Sequence, residues 1–129
     1  MSQDLLTVDA CLRQWAAWSL HGGANIGWPA TSLTARMLEW RELGIRPDPV
    51  ANTVPEPSSQ VIVVDRAVAK LTQLQRRAVF VYYMRSEPRE VQARILKVNA
   101  GQLARLLERA RWAIRMAIEM TDNRQAQGS

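Results

Sequence analysis

Two capping boxes divide the second half of this chain into helices. Thr72 with Gln75 forms the first box, and Asn99 with Gln102 forms the second. In each box, the two side chains accept hydrogen bonds from free backbone N–H groups at a helix start, so helices are expected directly after Thr72 and Asn99. Apolar residues then recur every three or four positions, the helical period. The residues expected to be buried are Leu74, Ala78, Val81 and Tyr82 in the first helix, and Leu103, Leu106, Leu107, Ala110, Ile114, Ala117 and Ile118 in the second.

A short helix is predicted between these two. Ser86 is the expected N-cap, with Pro88 in the first turn, and Val91, Ala93 and Leu96 are expected to face the neighbouring helices. Residues 97–99 then form a three-residue turn. A short helix, a tight turn and a capped long helix are together typical of a helix-turn-helix, whereas packing alone requires no such order.

The first half of the chain predicts two more helices. The first runs from about Asp4 to Ser19 and buries Leu5, Val8, Leu12 and Trp15. The Gly-rich loop HGGANIGWPA follows. The second helix begins after Thr31 or Ser32, buries Leu33, Met37 and Trp40, and ends at Gly44.

A segment around residue 60 is compatible with either a strand or a helix, because it is rich in β-branched residues. Helix is preferred, since Val61, Val64, Val68 and Leu71 follow the helical period and Ser58 or Ser59 can cap it. The predicted fold class is therefore all-α. The predicted organisation is an N-terminal helical segment with the Gly-rich loop (1–45), a linker with four prolines (46–59), a helix-turn-helix module (60–121) and a flexible tail (122–129).

Positive charge is concentrated in the C-terminal half. Residues 59–129 hold 13 of the 17 Lys and Arg residues with six acids, a net charge of +7, whereas residues 1–58 hold four with six acids, a net charge of −2. Release of counterions favours the binding of a polyanion where cations cluster. Double-stranded DNA is therefore the expected partner of the C-terminal half.

The first turns of the last helix are expected to enter the major groove. Gln102 suits an adenine edge and Arg105 a guanine edge. The outward residues there are Ala100, Gly101, Gln102, Arg105 and Arg109, and the residues expected to contact phosphates are Arg76, Arg77, Arg94 and Lys97. Neutralising about six phosphates predicts a slope of about −5 in log K against log salt. The alternatives are a helix-turn-helix repressor or promoter factor, and a helical interaction protein that binds no nucleic acid.

Other functional classes are not favoured by this composition. Cys11 and His21, the only residues of their types, are too few for a structural zinc site, and no third group is identifiable that would make them a catalytic pair. We therefore expect a protein that is not an enzyme and needs no metal or cofactor. No apolar run reaches the ~20 residues of a membrane-spanning helix, and the N-terminus carries acids, so no membrane partner and a cytoplasmic location are expected.

The sequences LTQLQRRAVFVYYM, EVQARILKVN and LARLLERARWAIRMAI resemble region four of bacterial sigma factors over about residues 60–120. With LRQWAAWSLHGGANIGWPATSLTARML upstream, the whole chain resembles the phage late-gene antitermination proteins of the branch typified by lambdoid phage 21. The matching upstream residues are Trp15, Trp18, Gly22, Gly23, Gly27, Pro29, Ser32 and Arg36. Two positions depart from the sigma pattern: Lys97 replaces a glycine, and Gln92 replaces an apolar residue.

This resemblance implies a transcription antitermination factor. Such a protein would bind DNA beside a phage late promoter and load onto a sigma-paused host RNA polymerase holoenzyme. It would then let the polymerase pass terminators by narrowing the RNA exit channel around the nascent RNA, and would do so without covalent chemistry. Trp28, in the Gly-rich loop, is the candidate contact with the polymerase or the channel.

Overall fold

The computed structural model describes the backbone of residues 2–21, 33–46 and 58–127, and the side chains of residues 8–21, 35–46 and 58–121. These residues form six helices and no strand, which confirms the all-α fold class. The helices are α1 (Ser2–Leu20), α2 (Leu33–Glu42), α3 (Ser59–Ala69), α4 (Gln73–Met84), α5 (Arg89–Leu96) and α6 (Ala100–Gln127). Most of the Gly-rich loop, including Trp28, and most of the Pro-rich linker lie outside the described residues.

The ambiguous segment around residue 60 is helical. Ser58 caps α3, since its Oγ accepts a hydrogen bond from the Val61 N–H at 3.2 Å. The four apolar residues of the predicted helical period, Val61, Val64, Val68 and Leu71, are all buried. The spacing of the β-branched residues therefore outweighs their preference for strands, because that spacing gives α3 one continuous apolar face.

Both predicted capping boxes are present. Thr72 Oγ1 accepts from the Gln75 N–H at 3.3 Å, and Gln75 Oε1 accepts from the Thr72 N–H at 3.4 Å. At α6, Asn99 Oδ1 accepts from the Gln102 N–H at 2.8 Å, and Gln102 Oε1 accepts from the Asn99 N–H at 3.0 Å. These local bonds set the starts of α4 and α6 at the predicted residues.

Gly44 lies in the turn after α2, as predicted, with φ of 71° in the left-handed region. A Cβ atom at this position would clash with the guanidinium of Arg85. Nη1 of Arg85 instead donates to the Leu43 carbonyl at 2.7 Å, so the glycine also permits a contact between α2 and the end of α4.

Two local predictions differ from the structure. Ser86 is not the cap of α5, because that helix begins at Arg89 and Pro88 occupies the cap position. The missing N–H of Pro88 costs nothing there. No side chain caps α5. Leu74 was expected to be buried but is 43% exposed, because it lines a surface groove beside α6. The backbone of α6 continues to Gln127, within the region 122–129 for which a flexible tail is predicted.

The two parts of the chain share one hydrophobic core. Helix α1 packs against α3, α4 and α6, so the N-terminal segment forms part of the same cluster as residues 60–121. At the centre, the Trp15 and Phe80 rings stack with centroids 5.8 Å apart, and the Trp40 ring meets Phe80 edge-on at 5.8 Å. Aromatic pairs in these geometries add to the stabilisation given by burial alone.

A buried ion pair joins α2 to α3. Arg36 Nη1 donates to Asp65 Oδ1 at 2.6 Å, and Trp15 Nε1 on α1 donates to the same oxygen at 3.0 Å. Arg36 is 2% exposed and Asp65 is 1% exposed. Trp15 and Arg36 are two of the upstream residues on which the resemblance to the antitermination proteins is based. Both donate to Asp65, so these two residues have a structural role in joining the helices. Trp18, a third, is also buried.

None of the helices that the structure describes is both long and apolar enough to cross a lipid bilayer.

Candidate nucleic-acid interface

The connection between α5 and α6 depends on an unusual backbone conformation at Lys97. Its φ of 60° and ψ of 39° lie in the left-handed region. The Lys97 N–H donates to the Arg94 carbonyl at 3.1 Å and the Val98 N–H donates to the Ala93 carbonyl at 2.9 Å, which ends α5 and turns the chain toward α6. Glycine most often fills such a position, so Lys97 holds a conformation that a glycine adopts more easily.

Gln92 ties α5 to the end of α4. Its side chain is 4% exposed, and Nε2 lies 3.5 Å from both the Val81 and the Arg85 carbonyl oxygens. An apolar residue, as the sigma pattern has here, could donate no hydrogen bond to these carbonyl groups. The amide therefore replaces an apolar contact with polar links to the preceding helix.

The predicted base-reading residues share the outer side of the first turns of α6. Leu103, Leu107 and Ala110 are buried and fix which side of the helix faces the core. The exposed residues are Ala100, Gly101, Gln102, Arg105 and Arg109. The start of α6 thus presents one amide and two guanidinium groups on a rigid helix.

Gln102 has a second role that limits how it can contact a base. Its Oε1 accepts the Asn99 N–H at 3.0 Å in the capping box, which holds the side chain back over the helix start. The two hydrogens on Nε2 remain to donate. In this rotamer the favoured contact is donation to an acceptor on a base edge, and not the bidentate adenine pair expected from the sequence.

The cations near this surface fall into two groups. Four of the predicted contact residues are exposed, and none of them makes an ion pair or side-chain hydrogen bond within the described part of the chain. These residues are Arg94, Lys97, Arg105 and Arg109. Cations without an ion-pair partner lose none of their charge to internal pairing, and this makes them the candidates for contacts with DNA.

Arg76 and Arg77 belong to the second group. They were expected to point outward, but they are half-buried against α2. Arg76 donates hydrogen bonds to both carboxylate oxygens of Glu39, with an Nη2 to Oε2 distance of 2.9 Å. Arg77 forms an ion pair with Glu42. The carboxylates neutralise both charges, so these arginines attach α4 to α2 and are not available for phosphate as placed.

A groove of about 200 Å³ runs along the candidate interface between α4 and α6. Leu74, Val98 and Leu106 supply its apolar part, while Gln102, Arg105 and Arg109 supply its polar part. Sequence reasoning missed Leu74, because its position in the helical period is that of a core residue. Its exposure follows from the position of α6, a tertiary feature without a local signal.

A second cluster neutralises cations on the other side of α6. The Tyr83 hydroxyl donates to Asp9 Oδ1 at 2.8 Å and accepts from Arg111 Nε at 2.9 Å. Arg13 also binds Asp9, at 2.8 Å. Partial burial opposes ionisation of Asp9, but the hydrogen bonds from Arg13 and Tyr83 and the charge of Arg111 hold the pKa of this carboxyl below its ordinary value. Burial raises the pKa of Tyr83.

Cys11 is one of the two residues considered for catalysis. Cys11 is buried, and burial raises the pKa of its thiol, which disfavours the reactive thiolate. In the described ranges, no three His, Cys, Asp or Glu side chains are grouped so that they could hold a metal ion.

Comparison with known protein families, with characterised proteins and with solved structures finds no match.

Proposed function

We propose that this chain is a DNA-binding transcription antitermination factor in which α5, the turn at 97–99 and α6 act as a helix-turn-helix. The observation that carries DNA binding is the placement of charge. Arg105 and Arg109 project from the first turns of a capped helix, and Arg94 and Lys97 lie at the end of the preceding helix; none of the four has an acidic partner among the described residues. Such a surface is suited to one major groove and its flanking phosphates.

In this interpretation, α6 enters the groove by its N-terminal turns. Arg105 contacts a guanine edge, Gln102 donates to a base acceptor, and Ala100 and Gly101 allow close approach. The apolar part of the groove, at Leu74 and Leu106, gives thymine methyl groups a surface. With Arg105 on a base, Arg94, Lys97 and Arg109 are left to neutralise about three phosphates, which lowers the expected slope of log K against log salt to about −2.7.

The antitermination part of the proposal is supported by the family resemblance alone. It includes a bacterial host cytoplasm, DNA near a phage late promoter, a polymerase held in a sigma-dependent pause, and nascent RNA that passes through a narrowed exit channel. Trp28 remains a predicted polymerase or channel contact. A helix-turn-helix repressor or promoter factor would use the same exposed Gln102 and Arg105 and is the alternative function.

DNA binding is tested by measuring the affinity for a mixed-sequence duplex at several salt concentrations. Replacing Arg105 and Arg109 by Ala should reduce the magnitude of the salt slope from about 2.7 to about 1.8, since the phosphate contact of Arg109 is lost. Arg66→Ala, which removes an exposed cation from α3 outside this surface, is the matched control and should leave the slope unchanged. An unchanged slope in the double variant would reject the interface.

Antitermination is tested by transcription through an intrinsic terminator. The template carries the phage late promoter beside which the protein is proposed to bind. An antiterminator raises the fraction of transcripts that pass the terminator, and the variant without Arg105 and Arg109 should lose this effect. A repressor lowers the number of transcripts initiated and leaves the fraction that passes unchanged. That second result would replace antitermination by the alternative function.

A further inference from the structure

The outer side of α6 carries a row of exposed residues whose character changes along the helix. The row begins with the polar residues of the candidate DNA interface and continues with large apolar residues. Its members, spaced three or four apart and therefore on one side of the helix, are Gln102, Arg105, Arg109, Trp112, Met116 and Met120. We call the last three residues the apolar stripe.

The apolar stripe is exposed to an unusual degree for such large side chains. Trp112 is 56% exposed, Met116 is 39% exposed and Met120 is 54% exposed. Scattered apolar residues are normal on a protein surface, but contiguous ones mark interaction sites. Tryptophan is common among the residues that dominate binding energy, and methionine adapts its shape to a partner.

Opposite charges lie toward the two ends of the stripe. Arg109, which precedes Trp112, has no ion pair in the described residues. Glu119 lies beside Met120 and pairs with Arg115 at 3.2 Å, with its side chain 49% exposed. An exposed pair of this kind is weak, so Glu119 can exchange it for another cation at little cost. The stripe therefore has an unpaired cation toward its N-terminal end and, toward its C-terminal end, a carboxylate that is paired only within its own helix.

These charges complement those of a second copy of the same chain in the opposite direction. Trp112 and Met116 lie two residues on either side of position 114, and Arg109 and Glu119 lie five residues on either side of it. A two-fold axis that is perpendicular to α6 and passes at the level of residue 114 brings Arg109 of one copy opposite Glu119 of the other. The same axis brings Trp112 opposite Met116. Each contact occurs twice, as in an isologous dimer.

We propose that the apolar stripe is a self-association surface on which two α6 helices pack antiparallel in this register. Three side chains on each copy fall well short of the ~800 Å² per partner that stable interfaces bury, so the association is weak and depends on concentration. In this arrangement the second copy covers Arg109 and lies opposite Arg105. If the proposed function holds, DNA and the second copy therefore compete for this side of α6.

Cross-linking of the full-length chain tests the pairing even when it is weak. Ala113 and Ala104 are both exposed on α6. In the proposed dimer the two Ala113 residues are about 3 Å apart along the helix axis, whereas the two Ala104 residues are about 30 Å apart. Ala113→Cys should therefore be joined by a short bis-maleimide and Ala104→Cys should not. The native Cys11 is buried in both proteins.

Charge reversal tests the register. Arg109→Glu and Glu119→Arg, each introduced into the Ala113→Cys protein, should each lower cross-linking several-fold, because like charges then face each other. An equimolar mixture of the two should restore it, since the mixed dimer pairs Glu with Arg at both contacts. Equal cross-linking of Ala113→Cys and Ala104→Cys, or no recovery in the mixture, would overturn the proposal.

These measurements use no DNA, so their outcome is independent of the proposed function. Adding a mixed-sequence duplex to Ala113→Cys should then lower the yield of cross-linked dimer. If the charge reversals behave as expected but DNA leaves the yield unchanged, self-association stands and the shared surface is rejected. If DNA binds through Arg105 while the mixture shows no recovery, the proposed function stands and the second copy is rejected.

Discussion

Removing the Asp65 carboxylate should destabilise this protein more than any single change at its surface. Asp65→Leu leaves the Arg36 guanidinium, which is 2% exposed, without its counter-charge. Breaking a buried ion pair in this way costs about 3–5 kcal/mol. Loss of the acceptor for Trp15 Nε1 adds about 1 kcal/mol. Since domains are stable by only about 5–15 kcal/mol, the variant should be close to unfolded in water.

The double variant Arg36→Met with Asp65→Leu separates a lost charge partner from a disturbed core. It removes both charges, so it should recover most of the 3–5 kcal/mol and unfold well after the single variant. Urea titrations followed by far-ultraviolet circular dichroism measure the difference. Glu119→Ala, which breaks an exposed ion pair on α6, is the control and should cost less than about 1 kcal/mol. A double variant no more stable than Asp65→Leu would refute this reasoning.

Three further predictions concern local features. Lys97→Gly should raise the free energy of unfolding by about 1 kcal/mol in urea titrations, since glycine adopts the left-handed conformation without a Cβ penalty, whereas Lys97→Ala should bring no gain. Gln102→Ala should lower the free energy of unfolding by about 0.5–1 kcal/mol, because the Asn99 N–H loses its side-chain acceptor while the Asn99 side chain still caps the backbone, and Gln102→Glu, which keeps an acceptor, should retain most of this stability. Because the folded-state pKa of Asp9 is depressed, the stability that Asp9 contributes is present above about pH 4 and is lost as the pH falls below that value. Asp9→Asn should therefore be less stable than the parent protein at neutral pH, and the two should converge in acid; a constant difference down to low pH would contradict this assignment.

The helices were predictable because their signals are local. The side chains of Thr72 and Asn99 bond to the N–H groups of residues three positions later, and these starts lie where the sequence places them. The apolar spacing also identified α3 as a helix. Ser86 failed as a cap although its residue type is favourable, because α5 begins only after Pro88 and Ser86 lies too far before that start.

The buried polar residues show the limit of such reasoning. Nothing in the spacing of the chain pairs Arg36 with Asp65, which are 29 residues apart, or Tyr83 with Asp9, which are 74 apart. The first contact forms where α2 lies against α3, and the second forms where α1 packs against α4. The sequence divides the chain into an N-terminal segment and a C-terminal module. It does not indicate that the two parts share one hydrophobic core.

The sequence by itself determined the all-α class, the capped starts of α4 and α6, the end of α2 at Gly44 and the basic character of the second half. Each of these depends on residues within about one helical turn of one another, or on composition. Only the tertiary structure decided which cations remain available to a ligand. Arg76 and Arg105 are alike in sequence, but α2 places Glu39 against the first and no described carboxylate against the second. The physical reason is that an ion pair depends on the distance between two charges in space, which for distant residues is set by the packing of the helices that carry them.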